Sequence, residues 1–261
     1  MRYFIELSYH GKNYHGWQKQ PNAPSVQETI EKGMSLLLRE PVTITGAGRT
    51  DTGVHARQMF AHFNTEVKLN AEDLTYKLNS LLARDIAISR IFPVQDDAHA
   101  RFDAVSRTYE YWIVQKKDPF MNDFAYNLHY PIDIDKMNRA AEALFEHSDF
   151  QCFSKSKTDV KTYLCKIEHA RWEFVKGKLV FTITADRFLR NMVRAIVGTL
   201  LDVGLGKMPE ENVKKIIESK NRSKAGVSVP AHGLYLTKIT YPYIRDHEPT
   251  PPLTIKNNEH K

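Results

Sequence analysis

The stretch Gly46-Ala47-Gly48-Arg49-Thr50-Asp51-Thr52-Gly53-Val54-His55-Ala56 places three glycines, an arginine and a carboxylate within eight residues. Glycine adopts backbone angles closed to other residues and lets another chain come close. The segment therefore reads as a loop, and its flanks fix the element order. Val42 to Thr45 reads as a short strand entering it. Met59-Phe60-Ala61-His62-Phe63-Asn64 reads as a strand leaving it.

Working outward, Arg2 to Tyr9 alternates Tyr3, Ile5, Leu7 and Tyr9 with Arg2, Phe4, Glu6 and Ser8, the period of a strand. Ser25 with Glu28 makes a capping box, and Val26, Ile30, Met34, Leu37 and Leu38 predict a helix ending near Glu40-Pro41. Asn70 caps a second helix through Leu82, and Ile86 to Val94 is another strand. After the polar segment 95–106 comes a second set. It comprises a strand Thr108–Val114, an Asp133-capped helix through Phe145, and strands Ile167–Val175 and Leu179–Asp186 turning at Lys176-Gly177-Lys178. Helices Phe188–Val203 and Pro209–Lys220 and a strand Leu234–Tyr241 complete it. Each set follows the strand-helix-strand-strand-helix-strand order of the split βαβ pattern. The expectation is an α+β protein of two ferredoxin-like halves sharing a central, mostly antiparallel sheet with helices packed on it. The halves span 1–104 and 105–245, with a flexible, Pro-rich tail at 246–261.

The chain is long enough for a real core, and its net charge is +6. Residues 151–225 carry 16 Lys and Arg against 8 Asp and Glu, which suggests a phosphate-facing surface as well as a solvated one. Cys152 and Cys165 are the only cysteines, with neither CxxC spacing nor clustered histidines, so neither a disulfide framework nor a zinc site is indicated. The first residues reach a charge at once, and no apolar run approaches the roughly 20 residues that span a bilayer. A cytoplasmic protein with no membrane association is the default expectation.

Asp51 has Arg49 and Arg57 near it in sequence. A neighbouring cation favours an ionised carboxylate, which suits a nucleophile or an ion pair. Equally, Asp51-Thr52-Gly53 can be an Asx turn with the side chain tied to the backbone. The glycine run lacks the ending of a P-loop and the spacing of a dinucleotide fingerprint. On the helix assigned from Phe188, Arg187, Arg190 and Arg194 fall within about 60° of one another and form a basic stripe beside an apolar one. Tyr109 and Tyr111 share a strand face that either stacks on a base or fills a core. Tyr14, His15 and Trp17, in the loop before Pro24, present the same pair of readings.

These segments together resemble the tRNA pseudouridine synthase A family. Gly46–Ala56 resembles its signature loop nearly end to end, with Thr52 where alanine is common. Supporting matches are Tyr9-His10-Gly11, Gly16-Trp17-Gln18, Gln27, Phe60, His99-Ala100-Arg101-Phe102, Arg107-Thr108-Tyr109-Glu110-Tyr111, Phe188-Leu189-Arg190-Asn191-Met192-Val193-Arg194 and Gly233-Leu234-Tyr235-Leu236. The resemblance implies the pseudouridine synthase fold and isomerisation of uridine to pseudouridine in the anticodon arm of tRNA, around positions thirty-eight to forty. It implies no cofactor and no metal, and a homodimer in which one tRNA touches both subunits. It gives Asp51 the role of nucleophile, Arg194 that of its ionic partner, Tyr109 packing on the target base, and Arg49 contact with the flipped-out nucleotide. Arg57, Arg101, Arg187 and Arg190 are further candidate RNA contacts. Two other readings stand beside it: an RNA-binding module without catalysis, and a metal-dependent hydrolase using Asp51 with His55 and His62.

Overall fold

Short-range signals built most of the elements. In the computed structural model, which describes residues 1–155 and 160–245, strand β1 spans Arg2–Tyr9. Helix α1, Val26–Leu38, begins where the Ser25 hydroxyl accepts from the Glu28 amide, and it ends at Arg39 in the left-handed conformation. Strands β2, Thr45–Gly46, and β3, His55–Asn64, bracket the glycine-rich loop. Helix α2, Ala71–Leu81, is capped by Asn70. Then come strands β4, Ile86–Val94, β5, Ser106–Val114, and the short β6, Tyr126–Asn127. Asp133 caps helix α3, Ile134–Ala141, which tightens into a 3-10 turn over Glu142–Leu144. Strands β7, Ile167–Val175, and β8, Lys178–Ala185, form the hairpin. Helices α4, Met192–Gly204, and α5, Asn212–Ser219, and strand β9, Leu234–Thr240, follow. The tail proposed at 246–261 lies outside the described residues.

Several boundaries differ from the sequence reading: α3 ends at Ala141 rather than Phe145, α5 starts at Asn212 rather than Pro209, and three other differences bear on the site. Helix α4 starts at Met192, not Phe188, because Asn191 takes φ 67°, the left-handed region, and breaks the helical path. Arg187 and Arg190 therefore precede the helix and share no stripe with Arg194. Strand β2 is two residues long, and β3 begins four residues earlier than its apolar run. The early start of β3 comes from its pairing with Tyr9 of β1 and with Tyr235 and Leu236 of β9, while β2 makes only two pairs, both with β3.

The sheet runs β4-β1-β3-β9-β5-β8-β7, with β2 beside β3 and β6 beside β5. With the two-residue β6 set aside, the order within each half is fourth-first-third-second, as a split βαβ unit requires. The halves join through β3 and β9, which run parallel and pair His55 with Tyr235 and Ala56 with Leu236. Strands β5 and β6 are the other parallel pair; the remaining pairings are antiparallel. Strand β2 occupies the opposite end of β3, at Ala61 and His62. The loop between β2 and β3 is thereby delivered to the seam between the halves.

Two apolar clusters sit under the sheet. Tyr3, Ile5, Leu7, Ile30, Met34 and Leu78 belong to one, and Tyr111, Trp172, Phe181, Met192, Ile196 and Ile217 to the other. Tyr109 packs against both. Phe4, on the other side of β1, is also buried, beneath Tyr241. This explains a strand that is less strictly alternating than a half-solvated one.

Candidate active site

The loop turns at Asp51, whose carbonyl accepts from the Val54 amide at 3.2 Å, with Gly53 at φ +79°. Positive φ at the third turn position requires glycine. The Gly53 amide donates to the Tyr14 carbonyl at 3.3 Å, not to the Asp51 side chain, so the Asx-turn reading does not hold. The carboxylate faces two cations instead. Arg194 Nη1 lies 3.5 Å from Oδ2 and Arg190 Nε 3.4 Å from Oδ1. Both distances exceed the roughly 2.8 Å of a tight charge-assisted bond, leaving the carboxylate free to engage a further group.

The two arginines are held differently. Arg194 is on the first turn of α4, and its Nε donates to the Val229 carbonyl at 2.7 Å. The Val229 amide donates back to the Arg194 carbonyl at 3.2 Å. That strap lies close on α4 because a side chain at Gly198 would strike the Val227 carbonyl. Arg194 is 20% exposed and Arg190 is 60% exposed, so Arg190 is the weaker, solvent-screened partner.

Packing from the first loop fixes the loop's other side. Gly11 and Gly16 let the backbone of Val54 and Thr50 pass where a Cβ would collide with their carbonyl oxygens. Tyr9 and Thr50 share a hydroxyl hydrogen bond of 2.8 Å. Gly46 packs against the Trp17 indole, whereas Gly48 has open space beside it. The first loop's aromatics Tyr14 and Trp17 are buried core, not exposed stacking groups.

Across β9 from the loop, Tyr109 pairs with Leu236, placing its half-buried ring at the seam. Burial pushes its phenol up to about 12, with the Asp51 charge adding to the rise. Its ring meets Phe188 edge-on at 5.2 Å. Arg49 is exposed, and its Nε donates to Gln18 at 3.2 Å. Arg57 lies over the Trp112 ring on β5, and Arg187 Nη1 donates to the Thr162 carbonyl. Arg101 lies beside Phe102. The Asp51 carboxylate pairs with Arg190 and Arg194 rather than with these three.

Arg107 carries a role that the sequence reading left unassigned. Its guanidinium, half-buried, donates to the carbonyls of Ala104, Asp186, Ala47 and Arg101. It thereby ties the Asp51 loop to two other segments. Its sequence signals were a charge at the start of β5 and its place in the matched segment Arg107–Tyr111, neither of which showed what it binds.

Both ring nitrogens of His55 are engaged. Nδ1 accepts from the Gly11 amide at 3.0 Å, and Nε2 pairs with the His232 carbonyl at 3.0 Å. His62 Nδ1 accepts from the Ala100 amide. Among the described residues, no group of three or more His, Cys, Asp or Glu is arranged to hold a metal. Nor is any described helix long and apolar enough to cross a membrane.

A sequence profile described as tRNA pseudouridine synthase matches residues 7–103 and 140–242. The chain belongs to the tRNA pseudouridine synthase family. A protein from Parabacteroides distasonis named tRNA pseudouridine synthase A is 54% identical over 244 residues, covering 92% of this chain and 96% of its own. One of the same name from Porphyromonas gingivalis is 54% identical over 245 residues, covering 92% and 97%. One from Thermoanaerobacter pseudethanolicus is 42% identical over 239 residues, covering 91% and 98%. In this member of the tRNA pseudouridine synthase family, both matched segments contribute to the seam: the first carries Asp51, and the second carries Arg194.

Proposed function

We propose that this isomerase (EC 5.4.99.12 type) converts uridine to pseudouridine in the anticodon arm of tRNA, at positions thirty-eight to forty, with Asp51 as nucleophile on a flipped-out uridine. The observation that carries the reading is a partly exposed carboxylate, 22% accessible, facing Arg194 at a seam that Tyr109 also lines.

The reaction breaks the C1′–N1 bond, turns the uracil and forms C1′–C5. The base must first leave its stack, which costs a few kcal/mol. Tyr109 would offset part of that cost by stacking, and Arg49 by occupying the vacated place. Arg194, 3.5 Å away, holds the carboxylate's orientation. A phenol raised to about 12 stays protonated near neutral pH, so Tyr109 acts through its ring or as a donor rather than as a base. Arg57, Arg101, Arg187 and Arg190 are proposed to meet the RNA backbone. Lys207, Lys214 and Lys220 of the basic block are instead in ion pairs with Asp202, Glu146 and Asp149. We place the enzyme in the cytoplasm, as a homodimer whose two subunits share a tRNA.

The deciding experiment maps pseudouridine in tRNA after incubation with wild type and Asp51→Asn. The variant should bind tRNA and make no product. Product from Asp51→Asn would remove the nucleophile. Undiminished cellular function of that variant would favour the non-catalytic RNA-binding reading.

A further inference from the structure

The turn His99–Ala104 is tied down at nearly every residue. His99 Nδ1 accepts from the amides of Arg101 at 3.1 Å and Phe102 at 3.3 Å. Asp103 Oδ2 accepts from the His99 amide and the Tyr243 hydroxyl, each at 2.7 Å. The Ala100 amide donates to His62, and its carbonyl accepts from the Tyr241 hydroxyl. Arg107 donates to the carbonyls of Arg101 and Ala104.

On this rigid turn Phe102 is 74% exposed. His99 backs its ring, with centroids 4.3 Å apart, and the Arg101 guanidinium lies 5.6 Å from the ring centre. Single exposed apolar residues are ordinary. A ring held on a fixed support with a cation beside it is a different object, because its ordering cost is met in the free protein.

Its position matters too. Arg107 Nη2 donates to both the Arg101 carbonyl and the Ala47 carbonyl, so this turn and the Asp51 loop meet at one nitrogen. Four residues of chain limit Ala47 to about 14 Å from Asp51. We propose that Phe102, flanked by Arg101, seats an unpaired nucleobase of the tRNA near the target uridine, with Arg101 taking an adjoining phosphate. This rests on the reading of the protein as a tRNA-acting isomerase. Any base offers a π-face to such a ring, so the seat tolerates different sequences around the target.

The test measures tRNA dissociation constants across a salt series for wild type, Phe102→Ala, Phe102→Leu, Phe102→Tyr and Arg101→Ala, with pseudouridine formation followed in parallel. Phe102→Ala and Phe102→Leu should each bind about tenfold more weakly with the salt slope unchanged, while Phe102→Tyr binds as wild type. Arg101→Ala should lower the slope by about one. Melting temperatures should not move for the Phe102 variants. Wild-type affinity in Phe102→Ala, or full affinity restored by Phe102→Leu, overturns the seat while leaving the isomerase reading intact. A wild-type protein that makes no pseudouridine overturns both.

Discussion

Arg194 Nη1 stands 3.5 Å from Asp51 Oδ2, although 143 positions separate the two residues. One belongs to the loop entering β3 and the other to the first turn of α4. Their meeting places a carboxylate and its cation on opposite walls of the seam between the halves.

Arg194→Gln should lower the single-turnover rate of pseudouridine formation by about 10- to 100-fold, because a charge-assisted contact is worth roughly 1.5–3 kcal/mol. Arg190→Gln should cost far less, since that partner is 60% exposed. Equal losses in the two variants would refute the distinction.

Tyr109→Phe should keep the rate within about tenfold of wild type, and Tyr109→Ala should lose more than that, since stacking on a base is worth about 1–3 kcal/mol. The ring, not the hydroxyl, would then carry the function. A Phe variant as inactive as the Ala variant would restore a proton-transfer role.

Arg107→Lys keeps the charge and loses the fork. One ammonium cannot span four carbonyls, so stability should fall by about 2 kcal/mol and the melting temperature by about 4–8 °C. The rate should fall further than stability explains, as a misplaced loop can cost about 100-fold. Unaltered kcat in a folded Arg107→Lys would show that the clamp does not position the loop.

Gly46→Ala should destabilise by about 1–3 kcal/mol, because its Cβ would enter the buried Trp17 indole. Gly48→Ala should melt as wild type, since nothing lies within 4 Å of the added carbon. Calorimetry on both proteins separates the two cases.

His55 and His62 are both held down to about 4, chiefly by burial, with neighbouring His10 and His99 adding to it. In the unfolded chain they take up protons near pH 6.5, ahead of the folded form. Their stabilisation is therefore complete above about pH 6.5 and lost as pH falls toward 4, at most roughly 3 kcal/mol each. The melting temperature should drop between pH 6.5 and pH 5, above the main carboxylate range. A flat profile there would contradict the buried neutral imidazoles.

The sequence by itself determined what depends on neighbours a few residues away. The period of two marked Arg2–Tyr9, the strand readings of Ile86–Val94 and Ile167–Val175 also hold to the residue, and Ser25, Asn70 and Asp133 cap their helices through bonds three positions ahead. The repeated element order carried the two-unit architecture, and the residue types of the loop made Asp51 a candidate. Only the tertiary structure decided between a turn residue and a carboxylate facing a cation. That choice depends on β3 pairing with β9, on the Val229 strap across α4 and on four carbonyls gathered by Arg107. It also moved the start of α4 past Arg187 and Arg190, and left Phe102 standing exposed on a rigid turn. Local periodicity records which face of an element is apolar. Which distant element covers that face is set by strand register and close backbone approach, and no stretch of a few residues encodes either.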